Sequence, residues 1–584
     1  MVTPLHPPAS GLSRLGRPAI SGGTKLATPA AIVLLVWLTG SVLGLGSLSF
    51  AEPDEPRFAE ATRQMFLRGD FLTPYFNGIP RFEKPILFYW MQAITFAVIG
   101  PGETAARLPS ALAGLGCLLL TFAIGRRLLG ETAGLTGAVV LATTFRFVVW
   151  TRQGLTDIPV MFFIMAALYA WLRALDEPAH RRALALAGWS AVGLAALTKG
   201  PVAVLPVLIL AAYLIATRQW QGFRGLHVPS GVLVSAAITV PWYAWMMRLH
   251  GRAFVDFALG YEILARYGYA GATFPSANRS FLWYAAIYPG DAAPWTLFVA
   301  AGAALAVWRF RRCDPAERRA LVFLATWFGT VIAVFASAQF KVTHYILPAY
   351  PAASLFAGYL IDRATSRSDP APALLWRLPF GLTIAALAAI TAILALFMHR
   401  VFGTPWLSDG MAGPFVLAFA TIAAIVFGAR GRRLKAFSAL AGGVAVATAC
   451  LAAITAPRDL QRYQPMRALG ERVAPLAPAG DRIGLYGRFG ASSLIYYGRH
   501  NIVWIDAPEQ AAAFMSADNR RFLVIPEADF PAVDALYDPP LYVIERGTFF
   551  NVRLKRLFDE RIDTEDRPML LVSNRPLSSP AESP

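Results

Sequence analysis

Charge is scarce in this chain: only 15% of its 584 residues are Asp, Glu, Lys or Arg, against 56% that are hydrophobic. That is too little charge to clothe the surface of an ordinary soluble protein of this size. Cysteine is scarcer still. Cys117, Cys313 and Cys450 are the whole set; they have no CxxC spacing and fall in apolar runs or a basic loop, which argues against both a thiolate metal site and an exported disulfide framework. No internal repeat is visible. One glycine pair, in GRFGAS at 487–492, invites a nucleotide-loop reading but lacks the rest of that fingerprint and reads as a turn.

What the chain does have is apolar runs of membrane-spanning length, from residue 28 almost to residue 456. At roughly 20 apolar residues per crossing, about thirteen spans are expected. They lie near 28–50, 104–125, 132–150, 157–175, 183–198, 200–217, 229–247, 291–308, 320–338, 343–361, 375–398, 412–429 and 436–456. Basic residues fall in alternate short loops: Arg126 with Arg127, Arg181 with Arg182, Arg218 with Arg224, the cluster from Arg309 to Arg319, and the cluster from Arg430 to Lys435. Those loops are therefore expected on the cytoplasmic side, as is the amino terminus with Arg14, Arg17 and Lys25. The same loops account for most of the net charge of +17, so no nucleic-acid partner is needed. The first apolar run is longer than a signal-peptide core and is read as an anchor.

Three parts follow: a flexible cytoplasmic lead (1–26), a transmembrane unit (27–456) with two outer loops (51–103 and 249–290), and a tail (457–584) on the outer face. Short strand-like runs such as DRIGLYGR, NIVWID and RFLVIPE make that tail a small α/β domain.

The first outer loop carries the chemistry-bearing residues. In DEPRFAEATRQMF, Asp54 and Glu55 precede Pro56, and Phe58, Thr62, Met65 and Phe66 share one helical face, which predicts a short amphipathic helix lying on the bilayer. Past the turn residues of FNGIP, FEKPILFYW predicts a second helix that begins near Lys84 and buries Leu87, Phe88, Trp90 and Met91. Capping explains acids at helix starts one at a time. It does not explain why both starts carry acids beside long apolar faces.

In its order of motifs the chain resembles the lipid-phosphate-sugar glycosyltransferases that include the protein O-mannosyltransferases and the bacterial aminoarabinose transferases of lipid A. The matching pieces are DEPRFAEATRQM, GDFLTPYFNGIPRFEKPILFYW, TRQGLTDIPVMFF, LTKGPVAVLP and KVTHYILPAYPA, spread in order over residues 50–355. The resemblance implies a mainly α, polytopic membrane protein with the GT-C bundle. It also implies an enzyme that takes a sugar from a polyprenyl phosphate and places it, with inversion, on a glycolipid acceptor such as lipid A at the periplasmic face of the bacterial inner membrane.

Such a donor leaves as an ionised phosphate, so it needs cations more than a general acid. Lys84 is placed to supply one, and the resemblance adds Arg266 and Tyr345 as further phosphate partners. Asp54 is the expected base for a hydroxyl acceptor, with Glu83 orienting acceptor or sugar. Supporting or substrate-binding roles fall to Glu55, Arg57, Asp157, Lys199, Glu262 and His344. Asp157 has the competing reading of a helix start, and His344 that of an interfacial histidine. Lys199, at a break between two short apolar runs, needs a partner or a ligand. The second outer loop reads GYEILARYG, with Tyr261 and Glu262 ahead of Arg266 where relatives commonly carry a histidine. A histidine-borne metal bridge is therefore not expected. Asp54, Glu83 and Glu262 could gather a divalent cation through oxygen ligands, but scattered acids are a poor metal signature and no cofactor is called for. Two other functions compete. One is the same chemistry on Ser or Thr of exported proteins; the other is a multi-span transporter, against which stand the lack of duplicated halves and the clustering of acids in a loop.

Overall fold

The computed structural model describes residues 27–258, 260, 279–367, 369–461, 464–478, 480–549 and 567–577. The lead 1–26 lies outside them, as do Tyr261, Glu262 and Arg266. The rest is a helical bundle with one small sheet near the carboxyl end.

Each segment read as a span falls wholly or largely on helical backbone, but fewer helices cross by themselves. Among the described residues eight stretches are long and apolar enough to span a bilayer, or ten if each bent pair counts as one. Four features account for the difference from about thirteen. The stretch Pro178–Ala216 merges two expected spans around Lys199. The pairs Glu131–Ala142 with Phe145–Thr151 and Trp283–Asp291 with Thr296–Arg309 bend by 66° and 117°. The helix Tyr350–Thr365 is only 16 residues long and almost wholly buried inside the bundle. The first helical run ends at Val42 rather than near 50. Its following turn uses Gly44 at φ +67°, where a Cβ would come within 2.8 Å of the Ala452 backbone, so only glycine lets the first and last membrane segments approach this closely.

The first long loop folds as a helix, a hairpin and a helix. In the helix Asp54–Arg68 the side chains of Phe58, Thr62 and Met65 are buried as their spacing predicts, whereas Phe66 is exposed. This helix does not rest on lipid by one face alone. Glu55, Ala59, Glu60 and Ala61 are buried too, because the helix Leu87–Ile99 and the carboxyl-terminal unit pack against it. The helix Leu87–Ile99 buries Phe88 as expected, but Leu87, Trp90 and Met91 only in part. The polar Tyr89 and Gln92 are fully buried in their place. Gln92 is satisfied on both sides: its amide donates to the Ala106 carbonyl at 2.9 Å and accepts from the Thr62 hydroxyl at 2.9 Å.

Between the helices, β1 (Tyr75–Phe76) and β2 (Ile79–Pro80) pair antiparallel across Asn77 and Gly78, both at positive φ, the Asn-Gly hairpin turn that twisted strands favour. Five further strands form the sheet of the carboxyl-terminal unit: β3 (Arg482–Tyr486), β4 (Asn501–Ile505), β5 (Phe522–Pro526), β6 (Tyr542–Phe549) and β7 (Arg567–Ser573), in the order β4-β3-β5-β7-β6. The strand β3 runs parallel to β4 and β5, and β7 antiparallel to β5 and β6. GRFGAS is the turn after β3, with Gly487 and Gly490 at positive φ.

The edge strand β4 meets the hairpin. The Asn77 side chain accepts from the Ile502 amide at 2.7 Å and donates to the Ile502 carbonyl at 3.3 Å. Asn77→Ala should cost about 1–2 kcal/mol through the two lost bonds, read as a lowered midpoint of thermal unfolding in detergent.

Candidate active site

Glu55 and its neighbour Asp54 take opposite environments. Glu55 is 1% exposed and closes a two-pronged pair with Arg107, Nε to Oε1 at 2.6 Å and Nη2 to Oε2 at 2.9 Å. It also accepts from the backbone amides of Ala51 and Gly154, both at 2.8 Å. Arg107 in turn donates to the carbonyls of Leu45, Leu48 and Ser49. Every polar atom of this pair is committed to tying the loop to the bundle. Arg107 was not singled out in the sequence; a lone arginine early in an apolar span is the signal that points to it. Asp54 opens the helix with its side chain 57% exposed and an ion pair to Arg57 at 3.7 Å. Its charge acts on Arg81, Tyr89 and His344. Arg57 reaches the other way as well, donating from Nε to the Ser492 hydroxyl of the carboxyl-terminal unit at 3.1 Å.

A cavity opens beside this loop, and it gathers six of the residues singled out in the sequence: Glu83, Lys84, Asp157, Lys199, His344 and Tyr345. Asp157 begins the helix Asp157–Asp176 and is buried. Its Oδ1 accepts from Lys199 Nζ at 2.6 Å and lies 3.6 Å from His344 Nε2. Lys199 is the last residue of the helix Arg181–Lys199, which stops because Gly200 turns to φ +60° and ψ −126°. The ammonium thus sits at a helix carboxyl end, where the macrodipole favours a cation. The Tyr345 ring is its other neighbour, with the centroid 5.1 Å from Nζ. His344 stacks on Trp150 at 4.9 Å, and Trp150 carries Arg146 over its ring at 4.7 Å.

Glu83 faces this group from the loop. Arg81 holds it, with Nε and Nη2 on the same Oε2 at 3.0 and 2.6 Å. Burial pushes the Glu83 carboxyl up, but the Arg81 charge and hydrogen bonds override it, with Arg57 and Lys84 adding to the pull, and hold it below the usual carboxylate range. Arg81 was missed in the sequence, although it stands two residues before Glu83, the spacing that puts side chains on one side of an extended chain. Lys84 donates to the Glu83 carbonyl at 2.8 Å, and its charge acts on both Glu83 and Asp157. Two cations, Lys84 and Lys199, and two acids, Glu83 and Asp157, thus share the polar lining of the cavity. Much of the remaining lining is greasy, with Trp242, Phe254, Val334, Phe335 and Phe340. An anionic head with a long apolar tail is the ligand this lining suits.

The apolar helices and the fold define a polytopic membrane protein of GT-C type, and comparison with known proteins agrees. The family model described as dolichyl-phosphate-mannose-protein mannosyltransferase matches residues 83–245. The undecaprenyl phosphate-alpha-4-amino-4-deoxy-L-arabinose arabinosyl transferase 2 of Pseudomonas fluorescens is 32% identical over 372 residues, 61% of this chain and 61% of its own length. A Pseudomonas aeruginosa protein named as the same transferase is 30% identical over 347 residues, 58% of this chain and 60% of its own. The chain thus spans about three fifths of the length of these curated relatives. The crystal structure of ArnT from Cupriavidus metallidurans bound to undecaprenyl phosphate superposes with a TM-score of 0.72 at 23% identity, over 94% of this chain and 98% of that one. The chain is thus similar in sequence to lipid-phosphate-sugar glycosyltransferases over about three fifths of its length and shares the GT-C fold with ArnT.

Proposed function

We propose that this chain moves a sugar from a polyprenyl-phosphate donor to a glycolipid acceptor such as lipid A, at the periplasmic face of the bacterial inner membrane, with inversion at the anomeric carbon. The amino terminus then lies in the cytoplasm and the carboxyl-terminal unit in the periplasm, in keeping with the alternate loops that carry the basic residues. The observation that carries the reading is the cavity lined by Glu83, Lys84, Asp157 and Lys199 together with Trp242, Val334, Phe335 and Phe340, with Asp54 near enough for its charge to act on Arg81 and His344.

In this reading the donor's phosphate is held by Lys84 with Tyr345 and Arg266, and the polyprenyl chain follows the wall formed by Val334, Phe335 and Phe340. Lys199 is partly committed to Asp157 and keeps the phosphate side of the cavity cationic. Negative charge that grows on the departing phosphate meets fixed positive charge, which is where a preorganised site lowers a barrier most. A hydroxyl acceptor needs a base, and Asp54 fits better than Glu83, because a carboxylate whose proton affinity Arg81 has lowered is a poorer proton acceptor. Glu83 then receives hydrogen bonds from sugar or acceptor. A phosphate acceptor needs no base, and Asp54 would orient the sugar.

Mass spectrometry of lipid A and of exported proteins, from cells with and without the protein, tests the reading. A sugar added to lipid A only when the protein is present supports it. Sugar found instead on exported proteins moves the acceptor to Ser or Thr, and no change in either pool overturns the transferase. Lys84→Ala should weaken the binding of undecaprenyl phosphate about ten- to a hundredfold, the value of one charge-assisted contact; native mass spectrometry in detergent reads this directly.

A further inference from the structure

The geometry points to Arg81 as a positioning residue that fastens Glu83 by one oxygen and keeps the other for a hydrogen-bond donor of the transferred sugar. This rests on the transferase reading for the identity of the ligand, but not for the arrangement itself.

Two arginine–glutamate pairs in one loop make the argument by contrast. Arg107 and Glu55 close a fork, each nitrogen on its own oxygen. That is the stronger arrangement, and the one expected of a pair whose work is cohesion. Arg81 and Glu83 forgo it. Nε and Nη2 converge on Oε2, and Oε1 has no hydrogen-bond or ion-pair partner among the described residues. On the other side of the guanidinium, Nη1 and the neighbouring Tyr89 hydroxyl are both buried, and neither makes a hydrogen bond of good geometry among the described residues. Leaving a buried donor unmade is costly. The cost is borne because Arg81 cannot turn: its side chain is 5% exposed, the Phe58 ring lies 4.5 Å from its guanidinium carbon, and its backbone amide donates to the Pro74 carbonyl at 2.7 Å. The consequence is a carboxylate that is ionised, fixed in direction and half unspent, on the lining of the cavity.

The charges around Glu83 come from every side. Arg81 and Lys84 are on its own segment, Asp54 and Arg57 on the helix Asp54–Arg68, and Tyr89 on the helix Leu87–Ile99; Asp157, Lys199 and His344 line the same cavity. Among the described cations, Arg81 is the one that both touches the carboxylate and is sealed from solvent. Its removal should therefore release Glu83 toward protonation, which burial favours.

The experiment is labelling by a hydrophobic carbodiimide, which attacks protonated carboxyls, on membranes holding the full chain without substrate, followed by peptide mass spectrometry across pH 4–8. Wild type should label Glu83 only at the acid end. Arg81→Gln should move half-labelling up by one pH unit or more, while Arg81→Lys, which keeps a cation, should move it less than half as far. In transfer assays the acid limb of the Arg81→Gln pH profile should rise by the same interval, so that activity returns in part as pH is raised. Unchanged labelling in Arg81→Gln, or a loss of activity equal at every pH, overturns the assignment. Arg81→Lys decides it if the glutamine variant does not fold, because a lysine variant that labels like a fully uncharged site is equally fatal. A wild-type protein that transfers no sugar defeats the transferase reading alone, since the labelling shift is read without turnover.

Discussion

Asp54→Asn is expected to lower the rate of transfer to a hydroxyl acceptor by about 10²–10⁴-fold, the contribution of a positioned general base, while leaving the protein folded. The second half of that expectation comes from the surroundings. The Asp54 carboxylate is more than half exposed and its ion pair with Arg57 is long, so little holds the helix start through this side chain. Arg57 retains its bond to Ser492, and the loop retains the Glu55–Arg107 fork. Asparagine keeps the shape and loses only the capacity to take a proton. Turnover of radiolabelled donor in vesicles measures the effect, alongside the thermal midpoint as a control for folding. Near-normal turnover with a hydroxyl acceptor would remove Asp54 from proton transfer and leave it, at most, as a contact to the sugar.

The residue next to it should behave in the reverse way. Glu55→Ala or Arg107→Ala is expected to destabilise the protein by about 3–5 kcal/mol, the penalty for breaking a buried pair and stranding its partner. Glu55→Ala strands the guanidinium and the amides of Ala51 and Gly154, and Arg107→Ala strands the Glu55 carboxylate and the carbonyls of Leu45, Leu48 and Ser49. Denaturation followed by tryptophan fluorescence reads the loss. Replacing both members together by apolar residues of similar volume should recover a good part of it, because the stranded charge is gone. If each single variant melts within about 1 kcal/mol of wild type, a value ordinary for exposed pairs, the fork is not what ties the loop to the bundle.

Adjacent acids with opposite fates also mark the limit of what the amino-acid pattern discloses. Apolar length located the membrane helices, and the FNGIP turn announced the hairpin, because hydrophobicity and positive-φ residues are local properties. Lys199 at a break between two apolar runs demanded a partner, and the partner was an acid already singled out, Asp157. What stayed hidden was three-dimensional. Nothing local distinguishes Asp54 from Glu55, whose difference arises because Arg107 arrives from a helix that starts at Glu103. Arg81 passed unremarked because a surface arginine beside a glutamate is common, and only packing against Phe58 makes it a buried clamp. About thirteen segments were read where eight to ten helices among the described residues are long and apolar enough on their own, since hydropathy does not see that a helix such as Tyr350–Thr365 is short and enclosed by its neighbours. Met91 fell short of the burial its periodicity promised, while on the same helix Gln92 found hydrogen-bond partners inside and is buried instead.

The Asn77 amide completes the backbone of Ile502 across 425 positions of chain. An unguarded sheet margin is a template for adhesion between copies, and here a hairpin tip fills that vacancy. Synthesis delivers the tip long before the strand it will cover. The late-made sheet therefore finds its berth already laid down by the loop that carries Glu83 and Lys84, and the membrane half has to be in place before the rest of the chain can dock correctly.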